Sequence, residues 1–220
     1  MALGWTVWTV AAATLAYGNE CASPPPVVVR MEAMPAVSIG TDGSKSAREL
    51  RALTQFKTGM TLGYYKATLS GGLSIQAGGW RLSLGGVCVF VETAVIRVGF
   101  GQRTIFTARE IQGRPCILRF VTAHERRHAE LDDELLSQFL AQLKTTLEQE
   151  YASGLAIAAQ TPDDAKAAMR DKLEGRAGRA IDQFKIRRQE VHAVFDSENG
   201  EAALISACGS DVRAFLDSLR

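Results

Sequence analysis

Hydrophobic positions change their period along this chain, and each change marks a different kind of element. Beyond Pro24-Pro25-Pro26, the run Val27-Val28-Val29 begins a strand, and Ser46-Ala47-Arg48-Glu49 reads as a capping box that opens a short helix through Leu50, Leu53 and Phe56. From Leu62 to Phe106, short β-prone runs alternate with Gly71-Gly72, Gly78-Gly79 and Gly85-Gly86. This texture predicts an antiparallel meander with brief strands at about 80–84, 88–92, 94–100 and 104–108. After Gly113-Arg114-Pro115 the period becomes helical: Val121, His124, His128, Leu131, Leu135 and Phe139 form one stripe that continues through Leu143 and Leu147 toward Tyr151. Gly154 is a stop signal. Thr161-Pro162-Asp163-Asp164 is a restart, with threonine as N-cap, proline in the first turn and acids against the helix dipole. A second helix then runs from Pro162 to Phe195, with Leu173, Ala177, Ile181, Phe184, Val191 and Phe195 inward.

Two long helices joined by a short connection lie antiparallel. The expected class is therefore α+β: a small antiparallel sheet with a short helix, packed against a long antiparallel helical hairpin. A chain of 220 residues, 46% of them hydrophobic, is long enough for one full core. The expected division is an export signal over residues 1–18, a linker over 19–26 and one domain over 27–220. Within that domain, 27–113 is rich in strands, 116–196 is the hairpin and 197–220 is a C-terminal segment.

The signal is read from the apolar stretch Trp5 to Ala16 followed by Ala16-Tyr17-Gly18, small residues where a signal peptidase cuts, although no basic residue precedes the stretch. No later run approaches the ~20 apolar residues of a membrane span, so the expected location is the periplasm or the medium. In such an oxidising compartment Cys21, Cys88, Cys116 and Cys208 can form two disulfides. Three pairings are open. The preferred one joins Cys88 to Cys116, across the strand region and the entry to the first long helix, and Cys21 to Cys208. With 25 basic and 24 acidic residues the chain has no global field to draw nucleic acid.

Candidate chemistry concentrates in His124-Glu125-Arg126-Arg127-His128, which holds two of the three histidines in the chain. Residues four apart share a helical face, so two imidazoles can close on one Zn2+ ion while Glu125 stands beside it as general base, moving a proton from water to a leaving amine. Antiparallel pairing about a turn near Ile157 brings His192 opposite this motif, with Asp196 one turn further on. His192 is the expected third ligand and Asp196 its alternative; if Asp196 binds the ion, His192 is free to stabilise an oxyanion. Glu134 is no ligand, because Leu131 stands where a compact site needs a helix-breaking glycine. Glu148 and Glu150, and the pairs Arg126-Arg127 and Arg187-Arg188, read as solvated helix surface. The strand from Thr104 to Ala108 offers an edge to an extended peptide if it is not paired inside the sheet.

Taken together, Cys88, the segment from Ile105 to Glu110, Cys116, the motif His124 to His128, Phe195-Asp196-Ser197-Glu198 and Ser206-Ala207-Cys208 resemble exported bacterial proteins of the zinc-peptidase type, akin to the DUF922 group. The resemblance covers roughly the second half of the chain. It implies a zincin-like metal helix and an exported location. The expected function is zinc-dependent hydrolysis of a peptide or related amide bond in a substrate of the cell envelope. The alternative is a non-catalytic exported module that binds metal or a protein partner.

Overall fold

The computed structural model describes residues 21, 23–54 and 61–217, and the expected signal segment and Phe56 lie outside them. The fold is α+β. Its strands are β1 (Val28–Ala33), β2 (Gly40–Asp42), β3 (Gly63–Arg81), β4 (Val87–Thr107) and β5 (Ala156–Ala159). Among the described residues its helices are α1 (Ala47–Leu53), α2 (Pro115–Glu150), α3 (Pro162–Asn199) and α4 (Glu201–Asp217), with a 3-10 turn at Arg109–Ile111. None of the described helices is long and apolar enough to cross a membrane. The described residues divide into two compact units, one drawn from those up to 32 with 72–97 and 142–180, the other from those within 33–71, 98–141 and from 181 onward.

Among the described residues five strands form one sheet in which β4 pairs with all the others. The sheet is mixed, not antiparallel as the glycine pattern suggested. β2 runs parallel to β4, matching Gly40 with Thr104 and Asp42 with Phe106, whereas β5 runs antiparallel to it, matching Val87 with Ala159 and Phe90 with Ala156. The brief strands expected are also merged into two long ones. Of the three glycine pairs only Gly85-Gly86 turns the chain, at φ of 94° and 87°, where other residues are strained. Gly78 and Gly79 stay extended because Phe90 and the Cys88 carbonyl come too close for a side chain.

In the first unit, α2 ends where Gly154, at φ 84°, donates its N–H to the Tyr151 carbonyl. The Val27 N–H donates to that same carbonyl, which anchors the chain just after the prolines. Val91, Leu147 and Met169 are fully enclosed here. Short strand β5 occupies the connection between the long helices and was not anticipated.

In the second unit, the capping box forms as read: Ser46 accepts from the Glu49 N–H, and Glu49 accepts from the Ser46 N–H. Helix α1 buries Leu50 against Ile111, Ile117 and Val121 from the α2 side and Leu204, Val212 and Phe215 from α4. Each such side chain contributes about 1.5–3 kcal/mol of burial. The stretch from Thr104 to Ala108 is not a free edge. Strand β2 takes its first three residues, and the Ala108 N–H donates to the Leu62 carbonyl.

All four cysteines are bonded, but as Cys21–Cys88 and Cys116–Cys208. The expected pairing fails because Cys88 lies near the start of a strand of 21 residues and Cys116 beyond its other end; several short strands folding back would have been needed to bring them together. Each observed bridge lies within one unit. Peptide mapping without reductant should therefore recover these two linkages and neither alternative. Replacing Cys116 and Cys208 together by serine, which opens a closure spanning 92 positions, should cost about 2–5 kcal/mol in denaturant unfolding.

Candidate metal centre

Helix α2 places His124, His128 and Asp132 four residues apart on one face, and α3 places Arg188, His192 and Asp196 likewise. The two faces meet in one register: Asp196 reaches His124 and His128, while Asp132 reaches His192 and Arg188. That register centres on residues 160–162 rather than Ile157, although the connection itself runs only from Glu150 to Pro162. The partner of His124 thus falls one helical turn beyond His192, and it is Asp196 that joins the motif histidines.

The three donor atoms form a small triangle. His124 Nε2 lies 3.0 Å and His128 Nε2 2.8 Å from Asp196 Oδ1, and the two nitrogens are 3.2 Å apart. With Asp196 ionised, protons cannot satisfy all three edges. If both imidazoles donate to Oδ1, two N–H groups face each other; if either gives up its proton, two lone pairs do. A cation uses all three lone pairs at once, and donors ~2.0 Å from a tetrahedral zinc ion stand ~3.3 Å apart, close to these edges.

The surroundings orient the rings. The Asn199 backbone hydrogen-bonds to His124; with Nε2 turned to Asp196, its carbonyl accepts from Nδ1–H and leaves the Nε2 lone pair for an ion. Phe195 stacks on His124 at 4.8 Å between centroids and meets His128 edge-on at 4.9 Å. His128 Nδ1 is buried with no hydrogen-bond partner among the described residues. Burial lowers the His128 pKa; at His124 burial pulls the same way, but the hydrogen bond to Asp196, the charges of Glu125 and Asp196 and the Asn199 backbone together outweigh it and raise the pKa. Burial would raise the Asp196 carboxyl, but hydrogen bonds from both histidines hold it well below the usual carboxylate range. Asp196 is the most open of the three, with a third of its side chain surface accessible, so the triangle faces solvent on that side.

Glu125 is buried beside His124 against the start of β3. Desolvation, with a further push from the Asp196 charge, raises its carboxyl to about 7, against the pull of His124 and a hydrogen bond from the Tyr65 backbone. Gly63 makes this seat possible: a β-carbon there would stand 2.5 Å from Glu125 Oε1. No sequence signal pointed to Gly63.

Behind the triangle lies a second cluster that the sequence reading missed. Asp132 is completely enclosed, yet it receives Arg188 through two bonds of 2.6 and 2.9 Å, His192 Nε2 at 2.9 Å and the Tyr65 hydroxyl. Arg103 donates to Tyr65 Oη at 2.8 Å, to the Ala129 carbonyl at 2.6 Å and to both oxygens of Asp133. Burial, with the Asp132 charge, lifts the Tyr65 phenol to about 12. The signal was available, since Asp132 continues the four-residue spacing of His124 and His128. Of the arginine pair read as solvated surface, Arg187 fits, bonding Glu190 on the outside, but Arg188 turns inward. Glu134 sits on the surface with Arg127, and Glu148 and Glu150 pair with Lys144 and Arg176, as expected of non-ligands.

Burial alone would raise the Asp132 carboxyl, but hydrogen bonds from His192 and Arg188 bring it below its ordinary value. Its stabilisation is therefore complete above about pH 4 and lost as pH falls through the lower folded-state value. Asp132→Asn should remove about 3–5 kcal/mol at neutral pH, by leaving Arg188 unpaired, and should flatten the acid limb of a plot of denaturant midpoint against pH.

Comparison of the chain with protein-family models, curated proteins and solved structures finds no match.

Proposed function

We propose that this chain is an exported zinc-dependent hydrolase that cleaves peptide bonds, or a related amide, in substrates of the cell envelope, with His124, His128 and Asp196 as ligands and Glu125 as general base. The observation that carries the reading is the triangle of three donor atoms whose mutual distances of 2.8–3.2 Å suit a cation and, with Asp196 ionised, cannot all be bridged by protons. Two imidazoles and one carboxylate match the donor preference of zinc and leave a fourth position open. A zinc ion held by His124, His128 and Asp196 would supply a Lewis acid able to polarise a carbonyl and activate water. The residues of the chain supply the rest. Glu125 follows His124 on the helix, so its carboxylate is placed to accept a proton beside the ligands and return it to the departing amine. Asp196 is both ligand and the open side, by which an extended substrate enters. Two disulfides suit an oxidising compartment, in keeping with the export signal read over residues 1–18 and with the likeness to exported zinc-peptidase proteins.

Elemental analysis of the purified mature protein should find one zinc per chain, and His124→Ala, His128→Ala or Asp196→Ala should abolish it. Profiling against a broad peptide library should detect cleavage that Glu125→Gln lowers by about 10²–10⁴-fold with zinc and fold retained. Zinc held tightly by a wild type that cleaves nothing would move the chain to the alternative, a non-catalytic metal-binding module.

Gly63→Ala provides an independent check on the base. The added methyl meets the Glu125 carboxylate and Val121 Cγ1, each at 2.5 Å, and no ligand, so with thermal unfolding as a control for Val121 packing, zinc content should persist while kcat falls on the order of 10²-fold.

A further inference from the structure

Helices α2 and α3 carry a second rung beneath the metal triangle, and its outermost member touches a ligand. The His192 ring lies 4.6 Å from the His128 ring between centroids, with planes 31° apart, so one imidazole forms the wall of the other. His192 cannot turn freely, because its Nε2 donates to Asp132, whose other acceptor sites are taken by Arg188 and Tyr65. Arg188 is steadied in turn over the Phe100 ring, 5.8 Å from its centroid, and Arg103 approaches that ring at 5.4 Å. This chain of fixed groups ends on the least tethered ligand: His128, unlike His124, has no partner for Nδ1 among the described residues. A ligand ring without the usual outer hydrogen bond needs some other restraint on its plane.

We propose that His192, held by Asp132, is a positioning residue of the metal centre: it fixes the plane of His128 by ring packing and is not itself a ligand. The inference rests on the metal reading above. It assigns His192 the part that an outer carboxylate or carbonyl plays for other ligand histidines, exerted through a face instead of a hydrogen bond. Because Asp132 keeps Arg188 and Tyr65 when His192 is removed, truncation at His192 does not strand a buried charge.

The test is Zn2+ titration of metal-free wild type, His192→Ala and His192→Phe, with the visible spectrum of each Co2+-loaded protein as a report on coordination geometry and thermal unfolding as a control for fold. His192→Ala should weaken Zn2+ binding about 10–100-fold and alter the Co2+ bands, with unfolding of the metal-free protein near that of wild type. His192→Phe keeps a ring against His128 but offers no lone pair, and it should recover affinity to within a few-fold of wild type. Equal loss of metal in both variants would make His192 a ligand and overturn the proposal. Unchanged affinity and spectrum in His192→Ala would overturn it while leaving the metal reading intact. A wild type that takes up neither ion would instead remove the metal reading itself.

Discussion

Two helices that each present polar groups every fourth residue can interlock in only a few registers, and the one chosen here decides the chemistry. With α2 and α3 matched about residues 160–162, a carboxylate from one helix faces imidazoles from the other at both rungs: Asp196 against His124 and His128, Asp132 against His192. A slip of one turn would leave Asp132 without Arg188, and a buried carboxylate without its cation costs several kcal/mol. The register is thus held by the cost of its alternatives. The rung that locks the helices also touches the triangle above it, where the His192 ring packs on His128.

Much of this was legible in the sequence. The two long helices, the capping box at Ser46 and Glu49 and the convergence of the motif with residues near 192–196 followed from periodicity and from chain geometry, whereas helix α4 stood only as a C-terminal segment. What could not be read was the register: the stop at Gly154 and the restart at Thr161 bound the connection, but the helices do not pair about its midpoint, and Ala156–Ala159 becomes a strand only because β4 supplies a partner. The offset brings Asp196, rather than His192, to the motif histidines. The glycine pairs misled for a related reason. A glycine in isolation reads as a turn, yet Gly78 and Gly79 mark close approach of neighbouring groups, which depends on tertiary contacts.

Buried polar residues were the other blind spot. Asp132, Tyr65 and Arg103 form a connected network in which each group satisfies another, so none is tolerable in the interior alone. Residue-by-residue reading assigns such side chains to the surface. Tyr65 shows how compact the arrangement is: its backbone serves Glu125 while its hydroxyl serves Asp132.

The last turn of α3 contributes twice to the centre, through the Asp196 side chain and through the Asn199 carbonyl that orients His124. Terminal turns are the segments of a helix that open most readily. An ion held at this point would tie the turn to α2, so that each fraying event would first have to release the ion, and release would become easier once the turn frays. Occupancy of such a centre and order at the junction between α3 and α4 would then be two readings of one equilibrium.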